Sequence, residues 1–185
     1  MRKSCGRVID PNKIRIGDVV LVQTQNPITI WIQKKLGYGA QREWTHVAGS
    51  IGGNDLVEGQ VPRSRVANLQ NDYIGRDFPI KVMRKTTWEK DYDRLKVALW
   101  WATMTNLRYD FFQLIWFALA AAIGRVLLLF RNQFNSRGKE ICSELITEGF
   151  YKQGYNLFDR KAANILPADF DDPRLFQEIT DIWLP

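Results

Sequence analysis

Apolar and polar positions along the chain fall into short blocks of changing period. Residues 16–23 (IGDVVLVQ) are an apolar run introduced by Gly17 and Asp18, the pattern of a short buried strand. Residues 28–36 (ITIWIQKKL) fit either a helix or an extended segment, and 37–41 (GYGAQ) read as a loop. The stretch 45–61 (THVAGSIGGNDLVEGQV) predicts a β-hairpin turning at Gly52-Gly53-Asn54, and 78–84 (FPIKVMR) predicts another strand. Thr86 and Glu89 have capping-box spacing, so a helix is expected to follow, with Tyr92, Leu95, Leu99 and Ala102 as its apolar stripe. Asn106 to Asp110 interrupts that period.

The second half is less regular. Residues 111–130 (FFQLIWFALAAAIGRVLLLF) are the most apolar part of the chain. A second helix is expected from near Lys139 through ICSELITEGFYKQ to a stop at Gly154. The tail carries Pro167, Pro173 and Pro185, with a last strand expected around Phe176–Ile182. Strand, hairpin, strand, helix, apolar segment, helix and tail make an α+β pattern: an antiparallel sheet or small barrel with helices packed on one side. No repeat or linker divides the 185 residues, so a single domain is expected, with an apolar helical insertion around 111–135.

Composition changes this picture little. With 45% hydrophobic and 25% charged residues the chain reads as globular. The net charge of +6 is spread along the chain and interleaved with acids, not gathered into the stripe a nucleic-acid groove needs. A solvated positive surface is the expectation, with attraction to anionic membranes or cell-wall polymers as the other reading. The start, MRKSCGRVIDPNK, lacks the apolar core of a secretory signal, which makes a cytoplasmic protein the default expectation and leaves signal-independent export open. Two cysteines, Cys5 and Cys142, build no disulfide framework, and with one histidine no metal site is expected.

That histidine, His46, opens a predicted strand, and any imidazole chemistry must use it. Cys142 sits at or near the first turn of a predicted helix, where free backbone N–H groups and the positive end of the helix dipole favour a thiolate. The plainer readings are a structural histidine and a small buried cysteine. Glu58 lies twelve residues after His46. A three-residue turn would pair Ile51 with Asp55 and Ala48 with Glu58, putting His46 and Glu58 on one face as diagonal neighbours. There the carboxylate could orient the imidazole, as the third member of a triad does. A two-residue turn would point Glu58 the other way. No G-x-S-x-G elbow, P-loop or G-x-G-x-x-G is present, so serine-triad and nucleotide chemistry lack their usual footholds, and Cys5 is taken as inert.

Six short motifs follow one another: Gly17-Asp18-Val19-Val20-Leu21, Thr45-His46-Val47-Ala48, Leu56-Val57-Glu58, Tyr109-Asp110, Cys142-Ser143-Glu144-Leu145 and Pro167-Ala168-Asp169-Phe170. In this order they resemble the permuted papain-like branch of the NlpC/P60 superfamily (the YiiX/YebB-like group), over roughly residues 14 to 180. The resemblance implies Cys142 as nucleophile, His46 as base and Glu58 as the orienting residue. It gives Tyr109 and Asp110 no certain role. The region between Asp110 and Cys142 varies in such proteins, so substrate choice does not transfer.

Three functions compete on this reading. A thiol peptidase or amidase, with cell-wall peptides as one candidate substrate, is implied by the superfamily. A lipid acyl hydrolase or acyltransferase is implied by related permuted members that act on lipid acyl groups. A catalytically silent binding module is the third. No cofactor is expected. Tyr109, Trp116 and Phe117 are candidate substrate-binding residues, the last two as walls of an apolar tunnel for acyl chains. The segment 111–130 reads as a buried helix or helical hairpin, as an exposed apolar lid touching lipid, or as a membrane span, although its uninterrupted core of eleven residues is short of the roughly 20 a span requires.

Overall fold

The computed structural model describes residues 8–90, 92–109 and 139–184. Strands β1 (Val19–Val22), β2 (His46–Gly52), β3 (Asp55–Glu58), β4 (Arg65–Asn68) and β5 (Ile80–Lys85) pair antiparallel into one sheet, with β8 (Phe176–Ile179) at its far edge. The order is β4-β3-β2-β1-β5-β8, and the two edge strands do not meet. The sheet is therefore open and is not the small barrel that the sequence pattern also allowed. A separate parallel pair joins β6 (Arg108–Tyr109) to β7 (Lys139–Glu140). Among the described residues the α-helices are α1 (Pro27–Lys35), α2 (Asp93–Thr103) and α3 (Cys142–Lys152), none long and apolar enough to cross a membrane.

Strand β1 lies at the centre, and all four of its side chains are buried. Val19 and Leu21 face one core, Val20 and Val22 the other, which is why this strand reads as a continuous apolar run. The first face is covered by α2 and α3 through Trp101, Leu145, Ile146 and Phe150. The opposite face is covered by Leu69, Tyr73 and Ile74, on short helical turns after β4, together with Ile9, Ile14 and Ile182 from the chain ends. Two of the helices thus pack on one side as expected. The segment left open at 28–36 is α1, started by Pro27 and capped by the Asn26 side chain, which accepts from the Ile28 and Thr29 amides.

Three details differ from the sequence pattern. In the hairpin, Ala48 faces Glu58 as predicted, but Gly52, not Ile51, faces Asp55. The turn is the shorter Gly53-Asn54, and a bulge at Ile51 restores the register that a three-residue turn would have produced. In α2 the expected stripe is wrong. Tyr92, Leu95 and Leu99 are 50%, 47% and 56% exposed, whereas Val97, Ala98 and Trp101 are buried. The helix begins at Asp93 without a side-chain cap, because Thr86 instead donates its hydroxyl hydrogen to the Leu175 carbonyl, 3.3 Å away. In α3 the helix begins at Cys142, not near Lys139, since Lys139 and Glu140 are held extended against β6. It stops as expected before Gly154, which adopts φ +86°.

Trp101 explains the choice of α2 face. Its indole lies between Gly49 of β2 and Gly149 of α3, and a Cβ at either glycine would run into the ring. Its N–H donates to the Ile146 carbonyl at 3.1 Å. One side chain from α2 thus sets the spacing between the sheet and α3, and with it the position of the residue that opens α3. Residues 111–130, Asp110 and Cys5 lie outside the described residues.

Candidate active site

The first residue of β2, the last residue of β3 and the first residue of α3 meet at one end of the sheet. They are His46, Glu58 and Cys142, all buried. Ala48 is opposite Glu58, so His46 lies on the same face two residues away, and the diagonal is closed by a hydrogen bond of 2.8 Å from His46 Nε2 to Glu58 Oε2. That bond uses one ring nitrogen, and Cys142 lies close enough to the imidazole to act on it by charge and hydrogen bonding. The approach of helix to strand depends on Gly59. A Cβ there would stand 2.9 Å from the Cys142 nitrogen and 3.0 Å from its Cα, so the strand end can pass the helix start only without a side chain.

Glu58 is the best-held group of the three. Besides His46, it accepts from Arg65 Nε at 2.9 Å and from the Tyr73 hydroxyl. Arg65 is its direct partner across β3 and β4. Burial alone would raise the carboxyl pKa, but hydrogen bonds and charge from His46, then Tyr73 and Arg65, outweigh it and hold the group down at about 2. Glu58 is therefore ionised at any ordinary pH. Tyr73 moves the opposite way: burial first, and then the charge of Glu58, push its phenol up, so it stays a neutral donor.

His46 feels two opposed influences. Burial disfavours the imidazolium, while the charge and hydrogen bond of Cys142, followed by those of Glu58, favour it. The second set prevails and the imidazole is pushed up to about 10. Its stabilising contribution is thus complete below the ordinary histidine value and is lost as pH rises through about 10. The contribution of Glu58 is present above the ordinary carboxyl value and is lost as pH falls toward about 2. Because His46 is the only histidine, its ring resonances need no assignment. We expect them to titrate near pH 10 in the native protein, and about one to two pH units lower in Glu58→Gln, where an opposing charge is gone. Native resonances that titrate near 6.5 would contradict this electrostatic account.

A pocket of about 320 Å³ opens beside the sulfur, with His46, Cys142 and Gly59 in its wall. Its other lining includes Thr24, Thr45, Gln60, Arg65 and Arg76, with Phe78 and Val61 as apolar members. The Thr24 and Thr45 hydroxyls are 2.9 Å apart and bonded to each other. Among the described residues no group of three or more His, Cys, Asp or Glu side chains could hold a metal ion.

Of the residues singled out in the sequence, the structure thus brings His46, Glu58 and Cys142 together. Tyr109 pairs through its backbone with Glu140, two residues before Cys142, but its side chain, like Trp116 and Phe117, lies outside the described residues. Arg65, Tyr73 and Gly59 were not anticipated. Arg65 could have been found by extending the hairpin into a third strand, which sets a basic residue opposite Glu58. Tyr73 gives no such signal, because it reaches Glu58 from a helical turn outside the strands, fifteen residues further along the chain. None of the known family models matches the chain, and no curated protein matches it.

Proposed function

We propose that the chain is a cysteine hydrolase that cleaves an amide bond of a peptide-like substrate through a thioacyl intermediate on Cys142, and that it belongs with the permuted papain-like enzymes its motif order resembles. The observation that carries this reading is the buried bond between His46 and Glu58 with Cys142 beside the same imidazole in the wall of one pocket. Burying titratable groups in contact is costly unless each is stabilised by the next, and here Cys142 and Glu58 both favour the imidazolium of His46.

The chemistry follows from the roles these atoms can take. The Cys142 thiolate attacks the substrate carbonyl carbon, and the oxyanion that forms faces backbone N–H groups at the start of α3. His46 gives its proton to the leaving amine, which departs and leaves a thioester. Water then attacks the thioester, His46 takes a proton from it, and collapse of the second oxyanion releases the acid and restores the thiolate. Glu58 touches no substrate. It positions the ring and stabilises its charged form, and Tyr73 and Arg65 position Glu58.

Amide over lipid ester is favoured by the pocket. Its hydroxyls, amide and guanidinium supply hydrogen-bonding partners that a peptide uses and an acyl chain cannot. The test is mass spectrometry of the acid-quenched protein after exposure to peptidoglycan fragments and, separately, to phospholipids. A peptidyl adduct on Cys142 is the expected result. An adduct from phospholipid alone would replace amide by ester, and a protein bearing neither adduct would overturn the hydrolase reading.

A further inference from the structure

Among the described residues, every charged group around the pocket has a partner except one. Arg65 lies between Glu58, at 2.9 Å, and Asp72, at 3.7 Å. Asp72 in turn accepts the Asn68 amide at 2.8 Å. His46 is bonded to Glu58 and interacts with Cys142. Arg76 closes the short helical turn Ile74–Arg76 and lines the same pocket as Cys142, yet no ion pair or hydrogen bond from any described residue reaches its guanidinium. An arginine left this way keeps all five donors, in a planar fork that matches a carboxylate.

From this inventory we infer that Arg76 is a specificity residue that receives a substrate carboxylate near the scissile carbonyl. The inference rests on the hydrolase reading above and narrows it to acidic peptides or peptides with a nearby free C-terminus. The pocket itself fits the assignment. Its volume is at the lower end of the roughly 300–1,000 Å³ of ligand sites, suited to one small polar group and not to a long chain. The Gln60 amide and the one hydroxyl hydrogen that the bonded Thr24–Thr45 pair leaves over can both donate to a carboxylate. Arg76 itself is exposed and packs against no core, so changing it leaves the sheet and the triad intact.

Two alkylating agents of similar size, anionic iodoacetate and neutral iodoacetamide, separate the two claims. Both transfer a carbon to the Cys142 sulfur with loss of iodide, and they differ chiefly in a carboxylate. In the native protein Cys142 should react with iodoacetamide faster than a free thiol does, and with iodoacetate faster still. Arg76→Gln is expected to lower the iodoacetate-to-iodoacetamide ratio about threefold to tenfold, the size of one screened charge at close range. Arg76→Lys should retain most of the ratio, and the iodoacetamide rate, which checks folding in each variant, should stay the same. If the ratio is indifferent to Arg76 while Cys142 remains fast with iodoacetamide, the inference is overturned and the hydrolase reading stands. If Cys142 is no faster than a free thiol with either agent, both fall together.

Discussion

Changing His46 to Ala is expected to lower turnover of a peptide substrate by about 10²–10⁴-fold, and Cys142→Ala to abolish it. The two losses have different origins. Without Cys142 there is no atom to form the thioester. Without His46 the sulfur remains, but its proton has no acceptor and the leaving amine has no donor. A free thiol is only a few per cent ionised at neutral pH, so iodoacetamide labelling of Cys142 at pH 7 should also slow by about tenfold in His46→Ala. Glu58→Gln should fall between native and His46→Ala, because a ring held by a neutral amide still accepts a proton but favours its charged form less. Steady-state rates and labelling kinetics on the same preparations check the order. Labelling at the native rate in His46→Ala would show that the imidazole does not activate the sulfur.

The largest effect on stability is expected at Trp101. It is fully buried, and its ring fills the space left by Gly49 and Gly149. Trp101→Ala should cost about 3–5 kcal/mol in denaturant unfolding, from lost transfer energy and from a cavity that two packed elements cannot easily close. The same cavity frees α3 to shift against β2, so the variant should also label more slowly at Cys142, even where it remains folded. Leu99→Ala is the control. It removes an apolar side chain from the same helix, but from its exposed side, and should change stability by no more than about 0.5 kcal/mol. A larger loss at Leu99 than at Trp101 would mean that α2 presents its other face to the core.

These expectations separate what is local in this protein from what is not. The run Val19–Val22 reads as a buried strand because both of its faces are covered, a property of four adjacent residues. His46 and Glu58 share a face because side chains alternate along a strand, and the hairpin returns in a register that twelve residues can specify. Even there two turn geometries were open, and the short turn needed the bulge at Ile51 to keep Glu58 on the side of His46. The start of α3 was legible only to within a few residues, since the pairing of Lys139 and Glu140 with Arg108 and Tyr109 is invisible to any local pattern.

By itself, then, the sequence determined the α+β pattern, the hairpin that carries a histidine and a carboxylate, and a cysteine near a helix start, because each depends on periodicity and capping among near neighbours. Only the tertiary structure decided which stripe of α2 is buried, which donors hold Glu58, and how closely Cys142 approaches the imidazole. Two apolar stripes at helical spacing look alike in one dimension, and the preference for the stripe containing Trp101 arises from glycines on two other elements, 52 and 48 residues away in sequence. Arg65 and Tyr73 converge on one carboxylate for the same reason. Burial makes an unsatisfied charge costly, and the groups that satisfy it are recruited from wherever the fold brings the chain past.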